Sequence, residues 1–241
     1  MDRPLPREQR DRLIAEGTYV FAHTKRDTPL GEGVSGILYH DGHFLPYVDE
    51  DYDGQVFPTL REAIAAQAVN IVDDRTEEID CPRLPRAELA ALLTWKSEHP
   101  AQRVRLNAVP YTGNGQPATD TPEPTKVREI AEESYLTRVT GATPVYTATY
   151  KQDMPFFSGD TDYIYESFGE YLVYVEDGVP EAYASLEAAL EDKRHVDSEC
   201  ISITSSVLDT ATILERLVTE ELTPFTITIN GKPHLIQPPA R

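Results

Sequence analysis

ILYHDGHFLPYV (37–48) and IYESFGEYLVYV (164–175) decide the fold, because the second lies on the first without a gap at an offset of 127. Ile37, Gly42, Leu45, Tyr47 and Val48 meet Ile164, Gly169, Leu172, Tyr174 and Val175. Each segment alternates apolar and polar residues around a central pair, Asp41-Gly42 in one and Phe168-Gly169 in the other. That pattern reads as two strands joined by a two-residue turn, in which both central residues take positive φ. Working outward at the same offset, TYVFAHT (18–24) falls on VYTATYK (145–151), with Tyr19 over Tyr146. TLREAIAA (59–66) meets SLEAALED (185–192) once one residue is dropped, and LNAVPY (106–111) meets INGKPH (229–234) with Asn107 over Asn230. A colinear set of matches points to a duplicated unit, and a period near 125 residues is too long for a solenoid, so two domains are expected.

Each expected unit opens with a charged helix, about 6–16 and about 124–138, with Pro6 or Pro124 in the first turn. An alternating strand and the hairpin follow. Thr59 then caps a helix and Glu62 completes a T-x-x-E capping box, while Ser185 caps the equivalent helix. A short strand (about 76–81 and 199–204) leads to a third helix, RAELAALLTWK or LDTATILERLV, and the unit closes on a hairpin arm with an Asn-Gly turn in the second copy. The fold class is therefore α+β: two tandem related domains, each a mostly antiparallel sheet with helices packed on one face, in the order αβββαβαβ plus a hairpin arm. The first repeat is assigned to residues 1–112, a Pro/Gly/Thr-rich linker to 113–123 and the second repeat to 124–241. Pro46 cannot donate to a ladder, so its strand is expected at a sheet edge; Val173 holds that place in the second copy, which can accept a further strand.

The 41 acidic residues exceed the 22 basic ones by 19, a field that repels nucleic acid and suits a protein partner with a basic surface. Mimicry of a phosphate backbone would need carboxylates gathered on one face, whereas these are spread over both halves. No apolar run is long enough to cross a membrane, no signal peptide is recognisable at the N-terminus, and two cysteines make no disulfide framework, so a cytoplasmic location is expected.

Several motifs fail on their own spacing. Asp49, Asp51, Asp53 and Gly54 open like a calcium loop, but the twelfth position is Leu60 and a strand precedes the loop. Gly31, Gly33 and Gly36 fit G-x-G-x-x-G, yet a strand rather than a helix follows. His40 and His43 flank the Asp41-Gly42 turn and would share one face, with no third metal ligand at a recognisable spacing. Features found in one copy only read as decoration on a scaffold, so no metal and no cofactor is assigned.

These readings give a non-enzymatic, acidic protein-interaction module; an inhibitor, immunity or antagonist protein that covers a basic surface would fit. The partner-binding residues are placed in the second copy's hairpin and turn, at Tyr163, Tyr165, Glu170, Tyr174, Glu176, Asp177 and Glu181. The alternatives are an enzyme or small-ligand binder with a cleft between the repeats, using His23, His40, His43 or the cysteines, and a component of a larger assembly that self-associates.

Overall fold

The computed structural model describes residues 6–28, 31–48, 55–66, 71–118, 127–151, 161–174 and 179–238, and these form a mixed α+β structure. The chain divides into two compact units, Met1–Pro124 with Ile130–Gly141, and Thr125–Glu129 with Ala142–Arg241.

The first unit contains α1 (Arg7–Glu16), β1 (Thr18–Thr28), β2 (Gly31–His40), β3 (His43–Val48), α2 (Leu60–Ala66), β4 (Ile71–Val72), β5 (Thr76–Asp80), α3 (Arg86–Leu92), β6 (Thr94–Trp95), β7 (Arg103–Leu106) and β8 (Val109–Thr112). Its six-stranded sheet runs β3-β2-β1-β5-β7-β8, antiparallel except where β5 and β7 run parallel; β4 and β6 form a separate short pair. Next in the chain come β9 (Val127–Glu129) and α4 (Glu132–Val139). The second unit continues with β10 (Tyr146–Tyr150), β11 (Thr161–Ser167), β12 (Glu170–Val173), β13 (Glu181–Tyr183), α5 (Leu186–Asp192), β14 (Cys200–Ser205), α6 (Thr210–Arg216), β15 (Phe225–Ile229) and β16 (Lys232–Ile236). Its sheet runs β16-β15-β14-β10-β11-β12-β13-β9, with β14 and β15 parallel. Six of these eight strands follow the order of the first sheet.

Local chemistry explains the shared pieces. Asp41-Gly42, Phe168-Gly169 and Asn230-Gly231 all take positive φ, as two-residue turns between twisted strands require. Thr59 Oγ1 accepts the Glu62 N–H and Ser185 Oγ accepts the Ala188 N–H, so both expected helix caps form. At the parallel step, Asn107 binds back to β5: its N–H donates to the Ile79 carbonyl, its Oδ1 accepts the Cys81 N–H at 2.6 Å, and its Nδ2 donates to the Cys81 carbonyl. Asn230 repeats the device, donating from N–H to the Ile203 carbonyl and accepting the Ser205 N–H at 2.9 Å.

Core packing separates the two faces of each sheet. In the first, Phe21, Ile37, Ile79 and Leu106 pack with Leu60, Ile64 and Leu89 from α2 and α3. On the opposite face Leu13 and Ile14 of α1 pack on Leu38 and Leu45. α4 joins that second face, its Arg138 reaching Glu78 beside β1. In the second sheet Tyr146, Ala148, Ile164, Ile203 and Ile229 pack with Leu186, Ala189 and Ile213 from α5 and α6.

Several expectations are corrected. Helices cover both faces of the first sheet, so one-sided packing describes only the second, among the described residues. The helix read as the head of the second copy begins at Glu132 and packs in the first unit, and a strand, β9, precedes it. Trp95 lies on a strand beyond α3, with its indole N–H donating to the Ala90 carbonyl. The described start of the expected linker is tied to the first unit: Gly113 N–H donates to the Gln102 carbonyl and Ala118 N–H to the Pro110 carbonyl. The ungapped offset also misplaces one strand. Phe21 pairs with Ile37 and Tyr146 with Ile164, so Phe21 rather than Tyr19 stands where Tyr146 does, the register of β1 having shifted at Val20.

The edge expectation reaches further than the sequence could. β3 ends the first sheet, with Pro46 opposite Ile37. Beyond it Phe44 and Phe57 exchange both backbone hydrogen bonds in a single bridge. In the second sheet the matching pair, Tyr171 and Tyr183, is extended to Leu172 with Ala182 and Val173 with Glu181. By the alternation of an antiparallel ladder, Val173 donates where Pro46 has no N–H to offer. The chain therefore fills that edge with its own β13 and β9, and it is not left open for a partner strand.

Candidate functional site

The residues singled out around the β11–β12 hairpin are distributed by strand alternation over both faces of the sheet. Ile164 and Val173 point into the core, so their neighbours Tyr163 and Tyr165 point to the other side, together with Leu172 and Glu170. Tyr165 stands opposite Leu172, and the rings of Tyr163 and Tyr165 lie 5.8 Å apart, tilted by 34°. Burial, and then the neighbouring Tyr163, push the Tyr165 phenol up from its ordinary value. Tyr163 is 40% exposed and Tyr174, just past β12, is 41% exposed.

Two of the selected carboxylates have partners within the unit. Glu170 forms a two-pronged ion pair with Arg128 of β9, at 3.1 and 2.8 Å, with both side chains largely shielded. Glu181 lies opposite core-facing Val173, on the helix side of the sheet, and accepts the Tyr183 hydroxyl at 2.5 Å. Glu176 and Asp177 lie outside the described residues.

Beside the tyrosines runs an array that the sequence reading passed over. Thr161, Thr149, Ser202 and Thr228 stand directly opposite one another across β11, β10, β14 and β15. Two residues along, Tyr163, Thr147 and Thr204 form a second row. Ala148, Ile203 and Ile229 between the rows are buried with α5 and α6, so both hydroxyl rows face away from those helices. α5 and α6 of the second unit pack on the opposite face. The signal was present in the sequence as hydroxyl residues two apart, in TAT (147–149) and SIT (202–204).

The ionisable groups named for the alternative readings are scattered. His40 and His43 pair across the first hairpin, His40 Nε2 standing 3.4 Å from Glu16 and His43 Nδ1 2.9 Å from the Asp41 carbonyl. Asp49, Asp51 and Asp53 lie outside the described residues, and no group of three or more potential metal ligands occurs among the described ones. Burial holds the Cys81 thiol up at about 12 and Cys200 at about 11, so both are protonated at neutral pH. The two cysteines occupy opposite ends of their strands, Cys81 just after β5 and Cys200 at the start of β14. Burial lowers His23 to about 4, with Lys25 adding to the effect; its Nε2 is 3.5 Å from Thr76 Oγ1. Near Cys200, Asp162 accepts from Lys193 at 2.9 Å and faces the Tyr150 hydroxyl at 3.5 Å. The buried Glu78, Asp80 and Arg138 under α4 also escaped the sequence reading, although T-E-E-I-D puts Glu78 and Asp80 two apart on one side of a strand.

Comparison with protein-family models, with curated proteins and with solved structures finds no match to this chain.

Proposed function

We propose that the chain is a non-enzymatic interaction module built from two related copies, and that its second unit engages a protein partner through the hairpin and turn from Tyr163 to Glu181. The relation between copies is supported by the common strand order, by the two-residue turns at Asp41-Gly42 and Phe168-Gly169, and by the Asn107 and Asn230 hooks. The observation that carries the binding reading is the pair of large, half-exposed rings, Tyr163 and Tyr174, flanking the core-facing Ile164–Val173 pair on a chain of net charge −19. Tyrosines contribute contact area at little entropic cost, and the acidic residues that follow Tyr174 in the sequence supply the charge that steers a basic surface onto them. Inhibition of a basic or nucleic-acid-binding partner by cover is the form of activity this fits.

The test is affinity capture of a partner, its identification, and titration of the purified pair at about 50 and about 300 mM NaCl, concentrations that bracket physiological screening. Binding should weaken with salt, and weaken by about tenfold or more in Glu176→Lys/Asp177→Lys, the scale set by placing repulsive charges at an interface. A complex indifferent to both salt and charge reversal would overturn the reading.

A further inference from the structure

We infer that the free edge of β16 takes a further strand, an extended peptide from a protein partner that brings a large apolar side chain. The two sheets end alike. β8 closes the first beside β7 and β16 closes the second beside β15, each after a two-residue turn, Asn107-Ala108 and Asn230-Gly231. Lys232 and Ile229 are the hydrogen-bonded pair that closes the second turn, so by antiparallel alternation Pro233 and Leu235 turn their backbone groups off the sheet. Pro110 and Thr112 hold the matching places on β8.

The first unit shows what such an edge receives. Residues 115–118 fold back along β8: Gly115 N–H donates to the Thr112 carbonyl, Thr112 N–H to the Gln116 carbonyl and Ala118 N–H to the Pro110 carbonyl, with Pro117 opposite Tyr111. Trp95 fills the space beside them. Its ring stacks on Tyr111 at 6.2 Å, and a Cβ on Gly115 would come within 2.7 Å of its Nε1. On β16 the Pro233 carbonyl and both backbone groups of Leu235 have no such partner among the described residues. The cap residues Leu93 and Leu217 end α3 and α6 in the same extended conformation, so Thr219 follows α6 as Trp95 follows α3. Beside Thr219 lies a cavity of about 360 Å³, lined also by Leu214, Leu217, Ile236 and the 59% exposed Leu235.

Backbone and cavity together define the occupant. A strand antiparallel to β16 accepts from the Leu235 N–H and donates to the Pro233 carbonyl, and its residue opposite His234 needs no N–H, as Pro117 needs none opposite Tyr111. The residue two before that one lies beside Ile236, over the cavity, where the first unit keeps its indole. A second copy, paired through its own β16 about a two-fold axis at His234, would set Lys232 there, a charge against an apolar wall. A peptide with an aromatic side chain at that position fits instead. The inference uses only the common strand order and is independent of the reading at Tyr163–Glu181.

The probe is a blocked peptide of residues 112–119 carrying Gly115→Trp, titrated into the full chain by calorimetry up to about 1 mM. Saturable one-to-one binding is expected, unchanged between about 50 and about 500 mM NaCl, which span weak and strong screening. The parent peptide, with glycine, should bind at least about tenfold more weakly, since no indole is buried. Leu235→Pro, which removes an outward N–H and leaves the hairpin ladder intact, and Thr219→Trp, which fills the cavity, should each abolish binding. Circular dichroism checks that both are folded. Glu176→Lys/Asp177→Lys should bind the peptide as the parent chain does. Hydrogen exchange at the Leu235 amide should be rapid in the free chain and slow with peptide bound. No saturable binding, equal binding of the two peptides, or binding retained by a folded Leu235→Pro or Thr219→Trp chain overturns the inference. So does a Leu235 amide already protected in the free monomer, the sign that the chain covers its own edge. A dimer in sedimentation velocity that Leu235→Pro dissolves overturns it too, because a second copy is then the occupant. None of these outcomes touches the salt-dependent partner reading through Glu176 and Asp177.

Discussion

The guanidinium of Arg138 lies 4.0 Å from the Glu78 carboxylate, and neither side chain is more than 6% exposed. Asp80, fully buried, stands on the same side of β5 two residues away. A helix that follows the second unit's edge strand in the chain thus carries the cation for a carboxylate on the first unit's sheet. Replacing Arg138 by Leu would leave buried acids without that charge, a change that typically costs about 3–5 kcal/mol. Urea unfolding should register that loss, and Arg138→Leu combined with Glu78→Leu and Asp80→Leu should recover much of it.

His23 gives stability a pH dependence. Its folded value, about 4, lies below the ordinary 6.5, so between those values the unfolded chain binds a proton that the folded chain does not. Stability contributed by neutral His23 is full above pH 6.5 and falls as pH drops towards 4, by up to about 3 kcal/mol from this group alone. Chemical denaturation across that window should show a slope that His23→Gln reduces.

Asn107 satisfies both backbone groups of Cys81 at a site with 2% exposure. Asn107→Ala leaves a buried N–H and a buried carbonyl unmet and should cost about 2–3 kcal/mol. Asn230→Ala, which leaves Ser205 N–H and the Leu208 carbonyl unmet in a half-buried setting, should cost less. Paired thermal melts check the ranking.

Val173→Pro should transfer the limit at Pro46 to the second sheet. It removes the donor that joins β12 to β13 and is expected to cost about 2–3 kcal/mol, the loss of a ladder bond with its acceptor stranded. Hydrogen exchange should accelerate in β13 and β9 while the amides of β14 remain protected. Pro46→Val in the first unit should be far less costly, since Pro46 has no opposing strand beyond it among the described residues.

How far the sequence could be read depended on the range of the interaction. The hairpin Ile37–Val48, the caps at Thr59 and Ser185, and the Asn230-Gly231 turn are local, fixed by φ preferences and by contacts a few residues apart, and all were legible. The placement of α4 was not, because its apolar pattern is short and the partner that decides it is Glu78, far away in the chain. Pro46 identified an edge correctly, since a missing N–H is a property of one residue. What fills the matching edge at Val173 is not, since β9 and β13 carry only three residues each. At the candidate site, the tyrosines were visible as composition, but their separation from Glu181 across the sheet depends on a register that only the Ile164–Val173 pair reveals. The hydroxyl rows depend on the alignment of four strands at once, two of them parallel, and the spacing of hydroxyl residues within a single strand says nothing of that alignment.

Residues 130–141 belong with a body that the polypeptide has already left by way of residues 125–129. No single cut therefore yields two whole halves. A nuclease boundary drawn in the gene at the proline-rich stretch would strip the first half of the helix that carries Arg138 and bequeath it to the second, which has no Glu78 to receive it. The order of elements along the chain is therefore not the order of the two bodies they build.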